Sequence, residues 1–556
     1  MVPTSIDIIP TRGGTTLVEQ CRTDIDKDIA ALLASLTVLR SRRNTLASIF
    51  SLPPEILVTI FTYIVEEENS KNYTGIPPRG GAPTPMKVTH ICRHWRQVAL
   101  ECPSLWTFID CLSARWVAIM LERSKEAALV VMYSAPDNHC TVEPLMQLLS
   151  QLHRIKVLKM GSFSIDVDRI VDCLSSQPAP LLQIFKYRIL ESYDPIFSIR
   201  PLSNTIFQGC APLLRSVELV ECAFILTSDI FSRLRTLTLK QIENFPHPTL
   251  SQLLFTLKRM PDLELLTLEL PSRIPENTEH FDQVPLTRLR SIALGVCTIR
   301  TAASLFSHLV LPGDASIALY LEEIESLQSF SDIFSAIYKD PESFPIIRSL
   351  GAIFSDDTFI VQFSTSLAFK SEYSWNNRNG DIRLFINFRY ASNPAIIFDI
   401  CRMIPHRKIQ SLSVSTSLDL SQNFWRAGFA DLPELESIHL STTLIAGFIL
   451  AFLTVGVSIA HPLLRALELE NIDIGCNELE GLRDVARMRA KGGVDIHRLG
   501  LTDCRNVMEW NVQLLKKVVA DVDWDGYEET LMDSDGGCVC PTCLDEDSSA
   551  DAHSED

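Results

Sequence analysis

Apolar residues recur along this chain in two periods, and the change from one to the other divides it. Ile25, Ile29, Leu32, Leu36, Leu39 and Leu46 follow a four-three spacing, with Arg43 interrupting the seam. That spacing predicts an amphipathic, coiled-coil-like helix over 17–48. Such a seam serves either dimerisation or packing on the same chain. With about three heptads and an arginine in the seam, packing on its own chain is the preferred reading. Shorter helices are predicted over 49–112. Leu52-Pro53-Pro54-Glu55 is a helix start, because proline's fixed φ suits the first turn and its missing N–H is not needed there. Ile56, Leu57, Ile60, Phe61 and Ile64 then recur at helical spacing, and Val88, Ile91, Cys92, Trp95, Val98 and Ala99 repeat the period. Between them, residues 66–87 include Pro77-Pro78-Arg79-Gly80-Gly81-Ala82-Pro83 and are expected to form a mobile loop.

Beyond residue 125 the period shortens. The template Leu-x-x-Leu-x-Leu starts at Leu214, Leu234, Leu263, Leu289, Ile409, Leu435, Leu464 and Ile496, with weaker copies at Ile155, Leu182 and Ile347. Three copies continue to a cysteine: Cys222, Cys297 and Cys504. Alternate apolar residues bury one face of a short strand, and a single such strand cannot bury that face alone, so neighbours must stack. Between copies, Pro248–Met260 predicts a helix capped by Thr249, with Leu250, Leu253, Leu254 and Leu257 as its stripe. Residues 300–405 fit the template poorly, although Ser316–Tyr320 and Ile382–Phe388 have strand character. The pattern resembles the leucine-rich repeat. The resemblance implies an irregular solenoid over 125–520, a horseshoe of parallel strands with its ligand on the concave face.

The helical segment carries a second resemblance. Leu52, Pro53, Glu55 and Ile56, then Ile91, Cys92, Arg93, Trp95 and Arg96, then Pro103, Leu105 and Trp106 reproduce the order of the F-box over about sixty residues. This resemblance implies docking to the Skp-type adaptor of a cullin–RING (SCF-type) ubiquitin ligase, with the rest of the chain choosing a protein substrate. The adaptor-binding ridge would then comprise Leu52, Pro53, Glu55, Ile56, Ile60, Cys92, Trp95 and Leu105. On the repeat strands, polar residues between the leucines become candidates for substrate contact: Arg215, Glu218, Thr238, Lys240, Glu269, His439, Glu468, Glu470 and Arg498. The expected fold class is therefore α/β, with all-α F-box-like helices followed by a leucine-rich-repeat solenoid. A scaffold of the same repeats with no ubiquitin role is the alternative, its helices serving only to cap the array.

Composition narrows the classes without changing this picture. The net charge of −18 is concentrated in residues 521–556, which hold thirteen acidic residues and no Lys or Arg. The remaining 55 acidic and 50 basic residues are nearly balanced, so no nucleic-acid partner is expected. That tail and residues 1–16 are expected to be disordered. Fifteen scattered cysteines suit free thiols in the cytosol or nucleus better than a disulfide framework. Residues 1–20 contain no secretory signal. The uncharged stretch Leu440–Ala460 has the length of a membrane span, but no Lys or Arg cluster flanks it and it lies within the repeats, so a buried helix and no membrane partner are expected. No nucleotide loop, His-Glu-x-x-His or Gly-x-Ser-x-Gly occurs, and no enzyme or cofactor is assigned. Cys540-x-x-Cys543 has metal-ligand spacing, which Cys538 and His553 could complete. A lone cluster in an acidic tail is read as solvated thiols, so no metal is assigned.

Overall fold

A computed structural model describes residues 15–72, 83–110, 114–134, 142–163, 166–190, 202–222, 224–240, 249–269, 282–321, 327–337, 345–355, 358–367, 382–389, 400, 403–404, 406–429, 432–453 and 461–528. Expectations for 1–14, for 73–82 within the loop, for 454–460 and for Cys538, Cys540, Cys543 and His553 lie outside these residues. The chain is mixed α/β and divides into two units. The first holds residues 1–184 with 190–195 and 210–213; the second holds 185–189, 196–209 and 214–556.

The first unit opens with helix α1, Thr15–Thr45. Among the described residues its seam is open rather than packed on its own chain, as Leu32 (71% exposed) and Leu39 (61%) show. A 3-10 turn at Ser48–Ser51 leads into α2, Pro54–Asn72, whose Leu57, Phe61 and Val65 are buried one turn apart. The loop expected over 66–87 is therefore shorter: α2 continues through its start, and α3, Thr84–Thr89, occupies its end. Helix α4, Arg93–Glu101, begins at Cys92, whose sulfur accepts the Trp95 N–H at 3.4 Å. The 3-10 turn Pro103–Trp106 closes this core. Trp106 is fully buried, donates its indole N–H to Ala99 O at 2.8 Å and lies under the Arg123 guanidinium. The sheet starts immediately afterwards. Strand β1, Phe108–Ile109, pairs in parallel with β2, Leu129–Ser134, which pairs in parallel with β3, Ile155–Phe163. Helices α5 (Ala114–Ser124), α6 (Glu143–Leu149) and α7 (Val167–Ser175) connect these strands and lead on. The expected boundary between 49–112 and 125–520 is thus absent: helices and first strands form one compact unit.

Arg154 fastens this corner. It is buried and donates to Ser124 Oγ, Ala127 O and Gln151 Oε1 at 3.0–3.2 Å. Its hydrogen bonds go to neutral oxygens, and the Glu126 carboxylate opposes the lowering that burial imposes on the guanidinium.

In the second unit every full-length template copy becomes a strand that starts two residues after the first leucine. After β4 (Ile184–Leu190) come β5 (Ser216–Val220), β6 (Thr236–Lys240), β7 (Leu265–Glu269), β8 (Val284–Pro285) and β9 (Ser291–Cys297). These are followed by β10 (Leu309–Val310), β11 (Ser316–Leu321), β12 (Ser349–Phe354), β13 (Thr358–Ser364) and β14 (Ile382–Arg389). The last are β15 (Ser411–Thr416), β16 (Ser437–Ser441), β17 (Ala466–Glu470), β18 (Arg498–Thr502) and β19 (Asp521–Trp524). Strand β19 corrects the start of the expected disordered tail, residues 529–556 of which lie outside the described residues. The ladder β5-β6-β7-β9-β11-β14 is parallel throughout, as is β12-β15-β16-β17-β18-β19, and β8 pairs with β10 apart from them. Strand β13 joins the two ladders by pairing antiparallel with both β12 and β14. The region that fits the template poorly is therefore a three-strand meander laid down in reverse order.

Helices α8 (Leu250–Lys258), α9 (Ile299–His308), α10 (Leu327–Ile337), α11 (Gln422–Phe429), α12 (Ala446–Leu453), α13 (Cys476–Lys491) and α14 (Glu509–Leu515) occupy the connections. Thr249 caps α8 in a reciprocal box with Gln252, at 3.1 and 3.3 Å. The apolar stretch from Leu440 supplies β16 and then α12, with Phe448 and Ile449 buried. Among the described residues, no helix is long and apolar enough to cross a membrane.

Two details recur with the template. The eighth residue of the copies starting at 214, 435, 464 and 496 is Glu221, Thr442, Asn471 and Asp503, each at φ between 50° and 57°. A non-glycine residue in that left-handed region costs about 1–2 kcal/mol, so surrounding structure must impose it. The next residue faces inward. Cys222 donates its thiol to Tyr187 O and Val220 O, and Cys504 donates to Leu469 O and Thr502 O. Burial pushes both thiols up, Cys504 to about 11. Alkylation of the native chain at mildly alkaline pH is expected to label exposed Cys21 and Cys210 and to spare buried Cys222, Cys297 and Cys504 until denaturant is added.

His461 is a second buried titratable group. Its Nδ1 donates to Leu432 O at 3.1 Å, and its carbonyl accepts from the buried Arg489 guanidinium at 2.8 Å. Burial holds the imidazole below its ordinary value; the Leu432 bond opposes this, and the Arg489 charge adds to the lowering. The unfolded chain therefore takes up this proton first as pH falls. The stability from keeping His461 neutral is full above about pH 6.5 and is lost as pH falls toward the folded value. Thermal unfolding from pH 7 downward is expected to show a shallower decline in Tm for His461→Asn than for the wild type.

Candidate functional site

Two surfaces carry the expected residues, one in each unit. In the first unit, α2 divides its apolar residues between two stripes. Leu57, Phe61 and Val65 face the core, while Ile56, Ile60 and Tyr63 recur at i, i+4 and i+7 on another side. Ile56 is 48% exposed and Tyr63 is 69% exposed, and Ile60 is half-buried. Pro53 and Glu55 are exposed at the start of the helix, with Leu52 half-buried before it. Ile91, 59% exposed, precedes α4 and adds open apolar surface. Tyr63 and Ile91 are missing from the expected ridge. Tyr63 continues the i, i+4, i+7 stripe begun by Ile56 and could have been found from it.

Other members of the expected ridge are structural. Leu105 is 3% exposed and belongs to the core, which corrects its placement on the docking surface. Trp95 is half-buried with its ring 4.9 Å from that of Phe61, so it fixes α4 against α2. Cys92 is the cap of α4. Of the expected ridge, Leu52, Pro53, Glu55, Ile56 and Ile60 thus remain at the surface, where Tyr63 and Ile91 join them.

In the second unit, strand register brings most of the polar candidates onto one face. A single in-register row crosses the sheet from Glu218 through Thr238, Thr267, Ala293, Ala318, Phe385, Gln362, Gly351, Ser413 and His439 to Glu468, Gly500 and Asp523. Lys240, Glu269 and Glu470 lie two residues further along their strands, and Arg498 two residues earlier. Arg215 stands apart, in the turn before β5, where its carbonyl accepts the Arg235 and Thr236 N–H groups. The residues between the two charged ends went unrecognised in the sequence, because β11, β13 and β14 lack the template that would align them.

The charges on this face are already paired across strands. Lys240 Nζ lies 3.2 Å from Glu269 Oε1, Lys186 pairs with Glu218, and Arg498 Nη2 lies 3.2 Å from Asp523 Oδ2. The stem of Glu269 crosses Gly295, where a Cβ would sit 2.4 Å from its Cγ. Burial first, and then the Glu269 carboxylate, push the Tyr320 phenol up. In the middle of the face, Ala293, Ala318 and Phe385 form a buried cluster with Tyr320, Ile360 and Ile382 against it.

His439 is held from both sides, its Nδ1 3.1 Å from Ser413 Oγ and its Nε2 3.0 Å from Glu470 Oε2. A serine–histidine–carboxylate chain can activate a nucleophile. Ser413, however, is only 4% exposed, so its hydroxyl orients His439 instead of meeting a substrate. Both ring nitrogens are thus engaged within the chain, and the group left open to a partner is the Glu470 carboxylate, whose side chain is 42% exposed.

Pairing of exposed charges contributes about 0.2–1 kcal/mol per pair and weakens with salt. A double-mutant cycle on Lys240→Ala and Glu269→Ala, read by denaturant unfolding, is expected to return a coupling energy in that range that shrinks in high salt. A scan against protein-family models finds none that matches this chain, and a search of curated proteins finds no match.

Proposed function

We propose that this protein is the substrate-recognition subunit of a cullin–RING ubiquitin ligase. In this reading the helices of the first unit dock a Skp-type adaptor, and the strand face of a leucine-rich-repeat solenoid holds a protein substrate. The chain itself makes and breaks no bond. It raises the local concentration of substrate beside the ligase-bound donor, which is catalysis by proximity.

The observation that carries the reading is the open apolar stripe Ile56-Ile60-Tyr63 on a helix whose other side is anchored by the buried Leu57, Phe61 and Val65, with Trp95 against Phe61. An interior so well fixed has no need of that stripe, and exposed apolar surface of this kind marks an interaction site. The order of Leu-Pro-x-Glu-Ile, Cys-Arg-x-Trp-Arg and Pro-x-Leu-Trp elements gives the stripe its partner class. The repeat reading draws support from the recurring left-handed residue and the inward cysteine that bonds the preceding copy's strand. The mixed, paired charges of the strand face favour a substrate surface that is itself polar and of mixed sign.

Calorimetry of the full chain against purified Skp-type adaptor tests this proposal. Binding at about 1 μM or tighter is expected, with a loss of tenfold or more, about 1.4 kcal/mol, in Ile56→Ala/Ile60→Ala. Far-UV circular dichroism of that variant should match the wild type, and its melting temperature should fall only slightly, because Ile56 is exposed and Ile60 half-buried. A folded wild-type chain that does not bind would leave the helices as a cap on a repeat scaffold.

A further inference from the structure

We propose that α1 associates with α1 of a second copy of this chain as an antiparallel two-helix coiled coil. The first observation is exposure. Ile25, Ile29, Leu32, Leu36 and Leu39 are each at least 42% exposed along a helix of 31 residues, and Leu46, in the turn that follows it, is 86% exposed. From Ile25 to Leu39 the seam runs about 21 Å along the helix, and an apolar seam left in water over that length is an interaction surface.

The second observation is the placement of charge beside the seam, which selects the partner and its direction. With Ile25, Leu32, Leu39 and Leu46 at d positions, Ile29, Leu36 and Arg43 fall at a. Asp26 and Arg40 then occupy e, and Asp28 and Arg42 occupy g. The acidic flank lies at one end of the helix and the basic flank at the other. Lys27 sits at f, on the outer side, where it pairs with Asp24 at 3.1 Å.

A second copy running in the opposite direction and centred on Ala34 sets Ile29 against Leu39 and Leu32 against Leu36, twice each by symmetry. The same alignment brings Asp26 of one copy beside Arg40 of the other, and Asp28 beside Arg42. Antiparallel coiled coils bring e beside e and g beside g, so both pairings arise together. It also faces Arg43 with Ile25 at the acidic end. A parallel alignment would instead stack Arg43 on Arg43 and Arg22 on Arg22 within the seam, and would lose all four acid–base contacts. Flanking charges of this kind set orientation and partner choice. The helix is thus its own complement only when reversed.

Sedimentation velocity of the full chain across a concentration series tests the arrangement. Wild type is expected to show a monomer–dimer equilibrium, abolished by Leu32→Asp/Leu36→Asp. Asp26→Arg/Asp28→Arg should weaken self-association at least about tenfold, and adding Arg40→Asp/Arg42→Asp to it should restore the wild-type value. All four positions are solvent-facing, so near-UV circular dichroism should be unchanged in each variant, and far-UV helix content should fall only where α1 loses its partner. A strictly monomeric wild type would overturn the proposal and place another segment of the chain, such as residues 1–14, over the seam. A dimer that survives Leu32→Asp/Leu36→Asp would place the interface elsewhere. A dimer indifferent to the charge reversal would overturn the antiparallel arrangement.

Discussion

The constraint on which the second unit depends is that no strand in it can bury its leucines alone. The strands of its two ladders are four to eight residues long, and their inward side chains find a dry environment only when the next strand lies in register beside them. The parallel ladders keep that register: Val217, Leu237, Leu266, Ile292, Ile317 and Leu384 sit opposite one another, strand after strand. A slip of one residue at any strand would turn its leucines outward and its polar residues in. The left-handed residue after the strand and the inward thiol that follows it act on the same requirement. They turn the chain sharply off the sheet while satisfying carbonyls of the preceding strand, as Cys222 does for Tyr187 and Cys504 for Leu469.

The same constraint explains how the sheet survives its one irregular region. Strands β12 and β14 are both parallel to the ladders they extend, so the flanking strands meet neighbours of the usual direction. Only β13 runs backwards, and its partners are the two strands that precede and follow it. Reversing the order of three strands therefore changes the connections and leaves the inward row intact, with Val361 between Ala352 and Ile386. What changes is the other face. The polar residues that ordinarily occupy it give way to Phe385, Tyr320 and Ile360, which bury Ala293 and Ala318 beneath them.

This difference accounts for what the sequence revealed and what it concealed. Strands that carry the template, such as Leu234-Arg-Thr-Leu237-Thr-Leu239, were legible because one residue period encodes both burial and register. The helix start at Pro53-Pro54-Glu55 and the capping box at Thr249 were legible for local reasons, since proline geometry and a side-chain acceptor act within one turn. Strand β13 was not, because Thr358–Ser364 pairs only with strands supplied by its neighbours and carries no template of its own. The inner half of the ridge was concealed for another reason. Leu105 and Trp95 occupy the motif positions of the resemblance, but whether a side chain faces a core or a partner depends on how the helices cross, which spacing does not contain. The coupling of charges across the strand face was hidden likewise, because Lys240 and Glu269 become neighbours only through register.

The first unit combines two apolar surfaces with opposite needs. The stripe on α2 lies on a helix whose other side is held by buried aromatic residues, so it is fixed before any partner arrives and loses little conformational freedom on binding. The seam on α1 has no such backing. A long helix exposed on every side gains stability chiefly from packing, and its partner therefore stabilises the helix as well as the contact. The proposed binding at α2 would accordingly be docking onto a preformed surface, whereas the proposed association at α1 would couple folding to assembly. If both operate, dimerisation would be the more sensitive to temperature and salt, because it carries the ordering cost of the helix and relies on Asp–Arg pairs that solvent screens.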